Sequence, residues 1–188
     1  MTPTATRTAT RTAVGLATVL VAGLLGTAPA AHAAPYCGLT WGSLAKTAPA
    51  TTSPSLVGVR SGRQTCFDRL VLDLGAGRVS GYDVRYVPHI AKDGSGDIVP
   101  TRGGADLQVV VHAPAYDDRG ATTYAPANPA EIAPVAGFRT FRQVVWADSF
   151  EGQSTVGIGV RARLPFRAFV LAGPGGGSRL VVDVAHQW

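Results

Sequence analysis

The 188-residue sequence has no acidic residue before Asp68, few lysines and only two cysteines. Each scarcity excludes something. An N-terminal third without carboxylates, carrying Arg7 and Arg11 ahead of the apolar run Ala13 to Leu25, has the charge order of an export signal. That run falls short of the ~20 residues needed to span a bilayer, which argues against a permanent anchor. It is followed by Ala28-Pro29-Ala30-Ala31-His32-Ala33, where small residues at Ala31 and Ala33 set up cleavage between Ala33 and Ala34. No Arg-Arg pair precedes the run, which disfavours the twin-arginine route. Cys37 lies in Ala34-Pro35-Tyr36-Cys37, not in the context expected for lipidation.

Lys46 and Lys92 are the only lysines, and both lie beyond the cleavage point. Of the 17 basic residues only Arg7 and Arg11 leave with the signal, so against 12 acidic residues the mature chain keeps a net charge of about +3. No basic stripe forms, so a nucleic-acid partner is not expected. The arginine bias fits either a high-GC genome or a recognition surface. Cys37 and Cys66 are an even pair in an exported chain, and the favoured reading is a disulfide. The closed loop would contribute ~3–4 kcal/mol in the chain-entropy view. Free thiols or a metal pair are the alternatives, and the absence of nearby histidines makes a poor zinc site.

Long amphipathic helices are also missing. No segment sustains a helical apolar stripe over three turns, and 13 prolines and 23 glycines work against one. Residues 34–55, rich in Ala, Thr, Pro and Ser, read as an extended arm or linker carrying the aromatic knot Tyr36 to Trp41. From residue 56 onward, β-type runs alternate with Gly, Pro and Asp turns. Strands are expected at Leu56–Arg60, Phe67–Leu74, Gly81–Val87, Leu107–Ala113, Phe141–Ala147, Thr155–Arg163, Phe166–Leu171 and Arg179–Ala185. One short helical turn is expected around Ala130–Ala136. Eight short, mostly antiparallel strands without covering helices indicate an all-β fold, a β-sandwich or barrel over residues 56–188.

Alternation assigns the faces. Leu70, Leu72 and Leu74 point one way and Arg69, Val71 and Asp73 the other; Leu180, Val182 and Val184 repeat the pattern opposite Arg179 and Asp183. This echo, with that of Val57–Arg60 in Ile158–Arg161, suggests two related β-units facing each other, or only that half-buried strands look alike. Val109–Val111, Val144–Trp146 and Phe169–Leu171 are apolar on both faces, as in strands central to a sheet or under a second layer. The long irregular stretch from Pro114 to Pro134 is the largest loop.

Catalytic signatures are likewise missing. There is no Gly-x-Ser-x-Gly, and His89, His112 and His186 do not stand in metal-ligand spacing. His112 and His186 read as structural histidines. Gly173–Ser178 lacks the helix start of a phosphate loop and reads as a hairpin turn. Asp93 and Asp97 lack the closing glutamate of a calcium loop, so no metal or cofactor is expected. Asp148 and Glu151 are the best candidates for paired acids, with turn residues as the favoured reading.

Three stretches carry a family resemblance: Val57–Leu74, Ser149–Arg161 and Gly177–Trp188. Together they resemble the AMIN-like domain of actinobacterial secreted proteins and lipoproteins. That domain is related to the AMIN domain of N-acetylmuramoyl-L-alanine amidases and some secretins. The resemblance implies a β-sandwich and a role in targeting or binding at the cell envelope through peptidoglycan. No zinc amidase domain follows in this sequence, so amidase activity is not implied, and with the chain ending at Trp188 no fused cargo is expected.

The favoured expectation is therefore a secreted, wall-associated, non-enzymatic module that binds a cell-wall polymer or an envelope protein. Arg69, Asp73, Arg179 and Asp183 would give the polar part of its face, and Tyr82, Tyr86 or Trp146 the rings for sugar stacking. The competing reading of the charged residues is cross-strand pairing on a solvated sheet. The alternative function is a small extracellular hydrolase, or an inhibitor using the Pro114–Pro134 loop.

Overall fold

The computed structural model describes residues 1–2, 35–50, 52, 54–77 and 81–188. The expected export segment beyond Thr2 and the Ala33–Ala34 junction lie outside the described residues. The β-strands all belong to the compact unit Ala33–Trp188.

Eleven strands form among the described residues: β1 (Lys46–Ala48), β2 (Leu56–Arg63), β3 (Phe67–Ala76), β4 (Tyr82–Val87), β5 (Ile90–Ala91), β6 (Ile98–Val99), β7 (Ala105–Val111), β8 (Phe141–Phe150), β9 (Gln153–Val160), β10 (Phe166–Ala172) and β11 (Gly177–Ala185). They build a five-stranded sheet, β1-β4-β7-β9-β8, a four-stranded sheet, β10-β11-β3-β2, and the small hairpin β5-β6. All pairings are antiparallel. The two larger sheets face each other as a β-sandwich. Leu70, Leu72, Leu180 and Val182 from one meet Leu107, Val109, Val156 and Ile158 from the other, all with no exposed surface. Each such side chain contributes roughly 1.5–3 kcal/mol relative to exposure, so alternation along the strands is what selects the sandwich.

The eight long strands lie where the sequence predicts them, shifted by a few residues at their ends. The three additional strands, β1, β5 and β6, have only two or three residues each, too few to show alternation. The expected helical turn at Ala130–Ala136 does not form. Asn128 instead closes a turn, its Oδ1 accepting from Ala130 N at 3.0 Å, and the segment runs beside β8 with Trp146 N donating to Pro129 O and Ile132 N to Val144 O. The free hydrogen-bonding groups of the β8 edge hold this segment extended.

The echoing strands β3 and β11 do not face each other across the sandwich; they are neighbours in one sheet. Nor is Phe169–Leu171 central or covered, because β10 is an edge strand with Val170 and Leu171 exposed. The described residues of the 34–55 segment are stitched to the domain. Gly42 bridges Phe166 on β10, while β1 pairs with β4. The Cys37–Cys66 disulfide is formed.

The five-stranded sheet is covered on its outer side as well. Ile90 packs on Val145 and Ala147, and the chain after β6 crosses β9 with Gly104 N donating to Val160 O at 2.8 Å. Two glycines permit this. A methyl on Gly157 would stand 2.6 Å from Ile90 Cγ1, and one on Gly159 1.9 Å from Arg102 O. Thus β9 is buried on both faces although only alternate residues are large.

Candidate functional site

The outer face of the four-stranded sheet is built in rows by its register. One row aligns Arg167, Asp183, Arg69 and Gly62; the next Phe169, Val181, Val71 and Arg60; the next Leu171, Arg179, Asp73 and Gly58. The middle row ends in Arg60, and its Val71 and Val181 are buried beneath the longer side chains of its neighbours.

Asp183 has no exposed surface, and two guanidiniums replace its water. Arg69 donates to both its oxygens at 2.6 and 2.9 Å, and Arg167 Nε donates to Oδ2 at 2.8 Å. The hydrogen bonds to Asp183 raise the Arg69 pKa further, outweighing partial burial. A buried carboxylate is tolerated only with such partners. Arg60 grips Asp73 by a second fork, at 2.7 and 3.1 Å. Arg179 Nε stands 4.0 Å from Asp73 Oδ1 and is buried without a hydrogen-bond partner.

Aromatic rings interleave with these cations. Arg167 lies 5.3 Å from the Trp41 ring centre, 5.2 Å from Phe67 and 4.9 Å from Phe169; Arg69 lies 5.2 Å from Phe67. Trp41 also tilts against Phe67 at 5.8 Å. It is brought there from the N-terminal segment by the neighbouring disulfide and by the bridge at Gly42. The face thus holds four arginines and two aspartates, a surplus of two positive charges. Beside Arg60, Asp73 and Arg179 it opens into a depression of about 510 Å³.

Arg69, Asp73, Arg179 and Asp183 are brought together here by the pairing of β3 with β11, and the charged residues pair across the strands. The three nominated rings lie elsewhere. Tyr82 and Tyr86 share a face of β4 with Val84, so they turn towards the core. Tyr82 Oη donates to Ala168 O, and Tyr86 Oη donates to Leu164 O at 2.8 Å and accepts from Leu164 N. Burial raises the pKa of both phenols. Trp146 shares the Val144 side of β8 and meets Tyr124 edge-on at 5.2 Å. The rings of the face are Trp41, Phe67 and Phe169. Phe67 and Phe169 could have been found from their two-residue spacing to Arg69 and Arg167; Trp41 had no such signal.

The nominated acids do not form a pair. Glu151 and Gly152 make the tip of the β8–β9 hairpin, both with positive φ (47° and 82°), as a two-residue turn requires. Asp148 turns to Asp93, accepting from its backbone N at 2.9 Å, while Thr155 Oγ1 donates to Asp93 Oδ2. Burial and the Asp93 charge push the Asp148 pKa up. Among the described residues no group of three or more metal-ligating side chains comes together, and no helix is long and apolar enough to cross a membrane.

A search among curated proteins returned no match to this chain. The family model for the AMIN-like domain matches residues 54–186, from the start of β2 to the end of β11. This family goes with a peptidoglycan- or envelope-associated role in general, and the disulfide is consistent with an extracellular protein. With sandwich and family match in agreement over most of its length, the chain belongs to the AMIN-like domain family.

Proposed function

We propose that the protein is secreted and binds an anionic polymer of the cell wall through the outer face of the four-stranded sheet, acting by binding and not by catalysis. The observation that carries this is the surplus of arginine over aspartate on one ring-studded face. Arg69 and Arg167 are committed to Asp183, whereas Arg60 and Arg179 share a single carboxylate, and the Arg60 side chain is 54% exposed. Guanidinium forks suit the carboxylates of stem peptides and the phosphates of wall polymers. Trp41, Phe67 and Phe169 add flat apolar surface suited to sugar rings.

The test is retention of the mature protein by purified peptidoglycan sacculi across a salt series. Retention is expected at low salt and should weaken as salt screens the exposed cations. The Arg60→Gln/Arg179→Gln double variant should lose most of it while keeping its melting temperature. No retention at low salt, or undiminished retention by the double variant, overturns the proposal. Release of soluble wall fragments, abolished by Asp148→Asn, would instead move the reading to a hydrolase.

A further inference from the structure

A second polar cluster lies at the other end of the four-stranded sheet, where the β2–β3 turn meets the chain just after β11. Asp68 and His186 are 118 residues apart in sequence and both buried, with 0% and 8% exposure, and Asp68 Oδ1 meets His186 Nε2 at 3.2 Å. The other carboxylate oxygen accepts from the backbone N–H of Thr140 and Phe141. His186 is clamped through its main chain as well: its N donates to Cys66 O at 3.0 Å and its O accepts from Arg161 Nη2. Only Nδ1 of the ring is left over, buried and without a hydrogen-bond partner.

The imidazole and Asp68 line a cavity of about 460 Å³ whose other walls include Arg63, Gln64, Thr65 and Arg139. Asp68 is occupied by its three donors. Among the described residues the ion pairs do not engage Arg63 or Arg139. The cavity is therefore lined by two uncommitted guanidiniums together with an amide, a hydroxyl and an imidazole. Every donor in this set suits an oxyanion, and the one carboxylate present is already satisfied.

We propose that this cavity is an oxyanion-binding site, taking a carboxylate or phosphate group between Arg63 and Arg139 with His186 behind it. The proposal does not depend on the binding role of the sheet face. Two guanidiniums lining one cavity favour an oxyanion over a neutral ligand, because each can form charge-assisted hydrogen bonds to it.

The test is titration of the mature protein with sodium sulfate and with sodium acetate at constant ionic strength, followed by amide and His186 ring NMR shifts. Sulfate stands in for phosphate, and acetate for a peptide carboxylate, both at pH 7. Saturable shifts at residues 63–65, 137–139 and 186 are expected. The probe that binds more tightly identifies the source, phosphate or carboxylate. Arg63→Gln and Arg139→Gln lie at the surface and should each weaken binding about fivefold or more without shifting the melting temperature. Shifts that never saturate, or that persist in the Arg63→Gln/Arg139→Gln double variant, overturn the proposal.

Discussion

Arg69 and Asp183 sit directly opposite each other on β3 and β11, and the guanidinium spans both carboxylate oxygens across the ladder. Because Asp183 has no exposed surface while Arg69 and Arg167 are each about a quarter open, the carboxylate is the member that most depends on the pairing. Asp183→Ala should lower unfolding stability by about 2–4 kcal/mol, leaving two guanidiniums over an apolar floor. Arg167→Gln should cost less than half as much, since Arg69 still holds the carboxylate. Urea unfolding of the three proteins checks the order; equal losses would show that Arg167 is the essential partner.

The crossing of β9 by the chain after β6 gives a second expectation. Gly159→Ala places a methyl against Arg102 O, a backbone atom that cannot swing away, and should cost about 2–3 kcal/mol by overpacking. Gly157→Ala meets the side chains of Ile90 and Val145 and should cost less, because rotamers can yield. Thermal melts of both variants, with Gly104→Ser as a third close contact, test whether backbone contact is what decides.

Reduction of Cys37–Cys66 should lower stability by about 3–4 kcal/mol through the freed 29-residue separation. It should also loosen Trp41 from Arg167 and Phe67. Tryptophan emission should therefore shift to longer wavelength in reduced but still folded protein, and a Trp41→Phe variant should lose that change.

Asp148 sets a pH dependence of stability. Its pKa is raised in the folded state by burial and by Asp93, so the folded form favours the protonated acid. This group's stabilising contribution is therefore fully present below the unfolded carboxylate pKa and is lost as pH rises through the higher folded value. Asp148→Asn, which keeps an acceptor for Asp93 N, should raise the melting temperature by about 1–2 °C near pH 7 and give no gain near pH 3. A gain of equal size at both pH values would assign the effect to packing.

The alternation of Phe67–Leu74 and Arg179–Ala185 was sufficient to place Leu70, Leu72, Leu180 and Val182 inside and to turn Arg69, Asp73, Arg179 and Asp183 outward. The same rule, applied to Tyr82, Val84 and Tyr86, puts the tyrosines beside a core valine and removes them from that face. What alternation cannot supply is register between distant strands. Only the alignment of Arg167 with Asp183 shows that β10 adds Arg167 and Phe169 to the face. The Asp68–His186 contact depends on the same long-range closure, and a histidine just past a strand carries no local mark of it.

The insertion of β11 between β10 and β3 has a kinetic consequence. Its two neighbours are separated by about ninety residues of other strands, yet neither can complete its ladder before β11 arrives. Long-range pairings of this kind make assembly slow relative to local hairpins. The β8–β9, β2–β3 and β10–β11 hairpins can each form locally, whereas the four-stranded sheet closes only when β11 meets β3. That step brings Arg69 to Asp183, shuts the cavity behind His186 and completes the arginine face. A partly assembled chain would therefore have a half-built core but neither proposed binding surface.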